Sequence, residues 1–167
     1  LRLGEDAFKI GKISEERIIN LLKTLKAFKL LIEVYKPVSY IACSTAALRE
    51  AQNTPEIVQR AKAEAGIELE VISGLEEARI VGSTNNISTG DNYNIAMYID
   101  VGGGSTEISM VSKDHQIIAS NSFKLGTLRM LNKNNNNKEW GDLKKWLKDF
   151  KKDFGKIYCI GSGGNIN

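Results

Sequence analysis

The sequence is poor in the residues from which disulfides and metal centres are most often built. Its 167 residues include two cysteines and one histidine. Cys43 and Cys159 each lie in a predicted buried strand, which favours two reduced core thiols in a cytoplasmic protein over a disulfide or a zinc site. The histidine, His115, lies in a polar turn and is given no functional role.

Long apolar runs and a strong charge bias are also missing. No apolar run approaches the roughly 20 residues that a helix needs to cross a bilayer, so no membrane partner is expected. The net charge is +3 and the basic residues are spread along the chain, which is too mild to indicate nucleic acid but is compatible with a small anionic ligand. Hydrophobic residues make up 42% of the chain, so a globular core is expected rather than disorder.

The first half of the chain alternates helical and strand patterns. Its first segment, 1–13, is expected to be irregular or extended. The predicted elements that follow are a helix between Ser14 and Pro37, a strand at 39–43, a short helix near 46–52, a helix that Thr54 begins and Gly66 closes, a strand at 68–72 and a helix from Leu75.

The second half begins after a polar, turn-rich segment at 85–93, which is predicted to separate two lobes, 1–92 and 93–167. The predicted elements are two strands joined by a glycine turn (95–111), a strand at 116–123, a helical turn at 126–131, a low-complexity surface loop at 132–138, an amphipathic helix at 139–154 with Trp140 and Trp146 on its apolar face, and a strand at 156–160 that leads into Gly161 and Ser162. Strands and helices in alternation, with one local meander, predict the α/β class with a mixed sheet.

Three consecutive glycines join two of the predicted strands. Gly102, Gly103 and Gly104 are poor filler for a strand because each costs ordering entropy, but their N–H groups can approach an anion closely. Ser105 and Thr106 add hydroxyl donors. The sequence therefore predicts a phosphate-binding turn, with a plain hairpin turn of small residues as the alternative.

An acid lies at each end of this turn. Asp100 ends a predicted buried strand, where an ionised carboxylate needs a partner or a metal, and Mg²⁺ usually takes one or two carboxylates. Asp100 and Glu107 are therefore predicted to hold Mg²⁺, directly or through water. A turn-capping role for Asp100 and a solvated strand position for Glu107 are the alternatives.

The segment Asp100–Glu107 (DVGGGSTE) resembles the phosphate-binding DxGGGSTE signature of the exopolyphosphatase and guanosine pentaphosphate phosphohydrolase (Ppx/GppA) family. Four further blocks resemble the same family in the same order, and they lie at 44–53, 72–79, 124–129 and 161–164. The resemblance implies the actin-like ATPase architecture, with two ribonuclease H-like lobes, and hydrolysis of a terminal phosphoanhydride with Mg²⁺. It also implies that both lobes are incomplete, since the family's first strand and glycine loop would precede Leu1 and later helices would follow Asn167.

The base that activates the attacking water is assigned by this resemblance. Glu77 is the second acid of the Glu-Glu-Ala-Arg block that the family uses; the residues alone do not separate it from Glu76, and a partner of the helix dipole is the alternative. Glu77 precedes the predicted lobe boundary and Asp100 follows it, so closure of a cleft would bring the base to the phosphate. Arg49, about one helical turn after Ser44 and Thr45, is expected to clamp a phosphate, with a solvated helix arginine as the alternative.

The leading functional hypothesis is Mg²⁺-dependent hydrolysis of inorganic polyphosphate or guanosine pentaphosphate. The motifs do not choose between these substrates, because both present a terminal phosphate to the same groups. The alternatives are an actin-like ATPase or sugar kinase, and a non-catalytic module that senses phosphate or nucleotide. The oligomeric state is left open, with a homodimer as one candidate.

Overall fold

The computed structural model describes residues 1–84, 93–131, 137–151, 154 and 156–164. The chain divides into two compact units, unit 1 (Leu1–Ile72) and unit 2 (Ser73–Asn167). This boundary precedes the one expected at residue 92, because the helix that begins at Gly74 packs against strands of unit 2. Most of the polar segment that was expected to separate the lobes, 85–92, lies outside the described residues.

Unit 1 combines helices with two short strands that pair in parallel. Its elements are α1 (Leu3–Ile10), α2 (Glu15–Tyr35), β1 (Ala42–Ser44), α3 (Ala46–Glu50), α4 (Thr54–Ala65) and β2 (Leu69–Val71). Buried apolar side chains of α2 and α4, such as Leu22 and Ile57, lie in its core. Gly66 ends α4 with a φ of 64°, which confirms the predicted stop. Among the described helices of the chain, none has both the length and the apolar character that a membrane crossing needs.

The expectation of an irregular segment at 1–13 is wrong, since this segment contains α1. The helix has acids in its first turn and ends at Gly11, whose φ is 75°. The carboxylate of Asp6 accepts hydrogen bonds from the N–H and the hydroxyl of Ser14 at 3.0 and 2.5 Å, and it forms a salt bridge with Arg17 at 3.0 Å. These contacts with the start of α2 stabilise a helix too short to form alone, and no apolar periodicity reveals them.

Unit 2 is built on a four-stranded sheet. Its elements are α5 (Gly74–Thr84), β3 (Ile95–Val101), β4 (Thr106–Ser112), β5 (Ile117–Phe123), α6 (Thr127–Leu131), α7 (Asn137–Lys151) and β6 (Tyr158–Ser162). The strand order is β5-β4-β3-β6. β6 runs parallel to β3, whereas β3–β4 and β4–β5 are antiparallel. The predicted α/β class with a mixed sheet is therefore confirmed.

Helices α7 and α5 cover opposite faces of this sheet. On one face, Met97, Met110 and Phe123 pack with Trp146 and Phe150 of α7. Because side chains alternate along a strand, the neighbours of Met110 point to the other face, and α5 contacts β4 and β5 there.

The contact between α5 and β4 is unusually close. The hydroxyl of Ser109 donates a hydrogen bond to the carbonyl oxygen of Ala78 at 2.5 Å. A Cβ added to Gly82 would lie 2.9 Å from the Cβ of Ser109, so the absence of a side chain at Gly82 allows this approach. The contact fixes the start of α5 beside the sheet.

Some expected core positions are exposed. Cys159 is exposed and Cys43 is only partly buried, because β6 is an edge strand of the described sheet and β1 belongs to a two-stranded one. Neither of these two cysteines forms a disulfide. Trp140 is 43% exposed in the first turns of α7. Of the predicted surface loop at 132–138, the first five residues lie outside the described part of the chain, and the last two begin α7.

Candidate functional site

The predicted phosphate-binding turn joins β3 to β4. A hydrogen bond from the N–H of Gly102 to the carbonyl oxygen of Ser105, at 2.9 Å, closes it. On the side of α6, the carbonyl oxygen of Gly102 accepts a hydrogen bond from the N–H of Thr127 at 3.1 Å. The carbonyl oxygen of Gly103 accepts one from the N–H of Leu128 at 2.9 Å. The start of α6 therefore holds the back of the turn.

A third carbonyl of the turn is held in the same way, since Nε of Arg129 donates a hydrogen bond to the carbonyl oxygen of Gly104. In a planar trans peptide, a C=O and the N–H that follows it point in opposite directions. The N–H groups of Gly103, Gly104 and Ser105 therefore point away from α6. No described residue accepts a hydrogen bond from the N–H of Gly103 or Gly104. Successive N–H groups that point to one side form a concavity suited to an anion.

Gly126 permits the close approach of α6 to the turn. A Cβ at this position would lie 2.3 Å from the carbonyl oxygen of Gly103, far inside contact distance. None of the three turn glycines has a positive φ. A Cβ on Gly103 would lie 3.1 Å from the side chain of Leu128, and one on Gly102 would lie 3.2 Å from the carbonyl oxygen of Ser105. The missing side chains therefore allow the tight packing of the turn against α6.

The hydroxyl groups of Ser105 and Thr106, predicted to bind phosphate, have partners inside unit 2. The Thr106 hydroxyl donates to the carbonyl oxygen of Leu125 at 2.5 Å, and the Ser105 side chain forms a hydrogen bond with Glu107. Both residues are buried. Each side chain thus has a hydrogen-bond partner within unit 2, and the phosphate-binding role of Ser105 and Thr106 stays a prediction.

The two acids that flank the turn face each other across the hairpin. Asp100 of β3 lies opposite Glu107 of β4 in the strand register. Ser162 at the end of β6 donates a hydrogen bond to Oδ1 of Asp100 at 3.0 Å, and Ser122 of β5 donates one to Oε1 of Glu107 at 2.8 Å. All four strands thus contribute a side chain to one cluster at this end of the sheet.

Glu107 is the most buried acid of the cluster, with 2% of its surface exposed. Burial raises the pKa of its carboxyl group, and the negative charges of Glu77 and Asp100 raise it further, while hydrogen bonds from Ser105 and Ser122 act in the opposite direction. Glu77 and Asp100 therefore each lie within electrostatic range of Glu107.

Glu77 lies in the first turn of α5 and belongs to unit 2, together with the glycine turn. Its N–H donates to the carbonyl oxygen of Ser73 at 3.0 Å, and the next residue, Ala78, is the buried one that accepts the bond from Ser109. Glu77 is partly buried, whereas Glu76 is exposed. Glu77 contributes to the raised pKa of Glu107, whereas Glu76 is not among its causes. The environments of these two acids therefore differ, although the sequence left them equivalent. Glu77 and Asp100 belong to the same unit, whereas the sequence predicted that they lie on different lobes.

Arg49 lies in unit 1. Its Nη1 donates a hydrogen bond to the carbonyl oxygen of Ile72 at 2.8 Å, and Ile72 is the last residue of this unit. The side chain thus supports the end of the chain segment that leads into α5. A phosphate-binding role for Arg49 stays a prediction.

Ser122 and Arg129 are among the residues of this region that received no role from the sequence. Ser122 lies opposite Glu107 in the β4–β5 register, and its two-residue spacing from Ser120 is that of side chains on one face of a strand. Arg129 was part of a quoted block, but its contact with Gly104 joins residues 25 positions apart. No local pattern indicates such a contact.

The carboxylate pair fits a small, hard cation. Asp100 and Glu107 share a face. Burial raises the pKa of Glu107 and the charge of Asp100 raises it further, and a divalent cation would offset this negative charge. Within the described ranges, no group of three or more His, Cys, Asp or Glu side chains is arranged to hold a metal. Such a pair suits Mg²⁺, which takes one or two carboxylates and completes its shell with water and ligand oxygens.

Relatives of known name share most of this chain. It is 29% identical over 130 residues to Exopolyphosphatase 1 of Mycobacterium bovis, and the matched residues make up 78% of this chain and 38% of that protein. It is 31% identical over 137 residues to the bifunctional 3-dehydroquinate synthase/phosphatase of Fusobacterium nucleatum, and the matched residues make up 80% of this chain and 20% of that protein. The chain therefore spans less than half the length of these relatives.

Solved structures with the same fold carry related names. An exopolyphosphatase from Cytophaga hutchinsonii superposes with a TM-score of 0.79 at 26% identity, over 95% of this chain and 55% of that one. The Aquifex aeolicus member of the Ppx/GppA family gives a TM-score of 0.69 at 25% identity, over 96% of this chain and 55% of that one. The fold implied by the sequence resemblance is thereby confirmed. Because residues 1–150 also match the model of the Ppx/GppA phosphatase family, this chain belongs to that family.

Proposed function

We propose that the protein containing this chain hydrolyses the terminal phosphoanhydride bond of inorganic polyphosphate or of guanosine pentaphosphate. One observation carries the proposal: a glycine turn with its carbonyls held from behind lies beside three interacting carboxylates in the same unit. The names of the relatives support polyphosphate as the substrate. The guanosine nucleotide shares the terminal phosphate but has no such support.

The glycine turn would bind the terminal phosphate. The N–H groups of Gly103, Gly104 and Ser105 would donate to its oxygens, and this fixed arrangement would stabilise the charge that spreads over those oxygens as the bond breaks. Because the carbonyls behind these groups are already bonded to α6, the turn needs little reorganisation to bind.

Glu77 would accept the proton of the attacking water. A general base must be ionised and within reach of that water. Glu77 is partly buried, and its negative charge acts on Glu107. An in-line attack on the bound phosphate would then need little covalent chemistry from the protein.

Asp100 and Glu107 would hold Mg²⁺. Bound there, the ion would neutralise charge on the phosphate oxygens. The serine hydroxyls on both carboxylates would fix their orientation, as outer partners of metal ligands commonly do.

The test is orthophosphate release by the purified full-length protein. Long-chain polyphosphate, guanosine pentaphosphate and ATP are compared, each with Mg²⁺ and with excess EDTA. We expect release from polyphosphate or guanosine pentaphosphate that EDTA abolishes. Turnover of ATP alone would contradict the proposal and favour a kinase-like ATPase, and binding of polyphosphate without any release would favour a sensing module.

A further inference from the structure

We propose that Arg129 is a positioning residue that holds the glycine turn in its anion-binding conformation. The inference rests on the proposed phosphate-binding role of the turn and extends it to a side chain that contacts the turn only from behind.

The first step concerns the peptide unit that Arg129 contacts. Nε of Arg129 donates to the carbonyl oxygen of Gly104, and the N–H of the same peptide unit belongs to Ser105. Rotation of this peptide changes ψ of Gly104 and φ of Ser105. Because Gly104 has no Cβ, its own backbone angles are little restricted, so a contact is needed to fix this peptide. A rotation would turn the Ser105 N–H away from the anion. The arginine bond opposes that rotation.

The second step concerns the difference between this carbonyl and its neighbours. The carbonyls of Gly102 and Gly103 are held by backbone N–H groups at the start of α6, where a helix has N–H groups without helical partners. The third carbonyl is held by a side chain. Of these three carbonyl contacts, it is the one that a substitution can remove without changing the backbone.

The third step links the turn to the acid cluster. The side chain of Ser105 forms a hydrogen bond with Glu107, and the backbone N–H of Ser105 belongs to the peptide that Arg129 holds. A turn that is allowed to rotate at this point would therefore disturb both the phosphate contact and the orientation of Glu107.

Two substitutions separate the effect of the Arg129 hydrogen bond from the effect of the Arg129 charge. Arg129→Lys keeps the positive charge but loses the Nε–H donor, and Arg129→Gln loses both. If positioning dominates, the two variants behave alike. Lys144→Gln is the control for loss of a positive charge, because Lys144 is an exposed residue of α7 in the same unit.

The experiment combines steady-state kinetics with amide hydrogen exchange, measured by NMR on the full-length protein. We expect both Arg129 variants to lower kcat/KM for polyphosphate about tenfold, the scale of one lost hydrogen bond from a charged donor. We also expect faster exchange at the N–H groups of Gly102 and Leu128, which bond to carbonyls of the turn, with unchanged exchange in the centres of β3 and β4. The control should change neither measurement.

Two outcomes would overturn the inference. Wild-type kcat/KM in Arg129→Lys would assign the effect to charge alone. Unchanged exchange at Gly102 and Leu128 in both variants would show that the turn does not depend on this bond. The exchange comparison needs no substrate, so it decides the inference even if the wild-type protein releases no orthophosphate, a result that would count against the proposed function instead.

Discussion

At the scale of single residues, Glu107 combines deep burial with a charge that repels two neighbours. Burial and the carboxylates of Glu77 and Asp100 raise its pKa, so the folded protein binds the proton of this carboxyl group more tightly than the unfolded chain does. The free energy of unfolding therefore falls as the pH rises from the unfolded pKa through the folded one. At neutral pH, the charge of Glu107 therefore lowers the free energy of unfolding, as is common for residues of functional sites.

Glu107→Gln should accordingly make unit 2 more stable at pH 7, because the amide keeps an acceptor for Ser122 but carries no charge. The difference from wild type should vanish below about pH 4, where the wild-type carboxyl group is protonated in both states. Native-state hydrogen exchange of β4 amides measures the free energy of opening at both pH values. A variant less stable than wild type at pH 7 would refute the assigned charge repulsion.

Asp100→Ala should raise the Mg²⁺ concentration for half-maximal orthophosphate release about tenfold or more, the scale seen when the surroundings of a metal are altered. The remaining carboxylate of Glu107 is buried and offers the ion poorer access. Asp114→Ala is the control, since Asp114 is exposed in the turn between β4 and β5. If Asp100→Ala left the Mg²⁺ concentration for half-maximal release unchanged, the proposed role of Asp100 as a metal ligand would be wrong.

At the scale of elements, the packing of α5 on β4 places the proposed base beside the glycine turn. Two small residues make this contact: Gly82 has no side chain to hold the helix away, and Ser109 bonds to the carbonyl oxygen of Ala78. The position of Glu77 therefore depends on a helix–sheet contact that begins at the next residue, Ala78, and extends to Gly82. The same interface explains why α5 belongs to unit 2.

Gly82→Ala should destabilise unit 2 by about 1–3 kcal/mol, because its Cβ would overlap Ser109 in a well-packed interface. Gly141→Ala is the matched control in another helix, since a Cβ there would meet nothing within 4 Å. This control should stabilise the protein by up to about 1 kcal/mol through helix propensity. Hydrogen exchange of β4 amides reports both values, and equal effects of the two substitutions would argue against the close contact.

At the scale of the whole molecule, the sequence was a good guide wherever the information is local. The β3–turn–β4 hairpin follows from alternating side chains and three glycines, and the α/β class follows from the order of patterns. The grouping of Glu77 with the turn could not be predicted, because it depends on the Ser109–Ala78 bond between residues 31 positions apart. The hydrogen bond from Arg129 to Gly104 could not be predicted for the same reason. Helix α1 could not be predicted either, because its contact between Asp6 and Ser14 follows no apolar periodicity.

Glu77 is proposed to act as the base on a phosphate held by the glycine turn of the same unit. The most direct test is the initial rate of orthophosphate release from polyphosphate by full-length wild type, Glu77→Gln and Glu76→Gln, with polyphosphate affinity measured in parallel. Glu77→Gln should lower kcat at least about a hundredfold, as expected for loss of a general base, with affinity nearly unchanged, while Glu76→Gln should stay close to wild type. Near-normal turnover in Glu77→Gln, or equal losses in both variants, would contradict the claim.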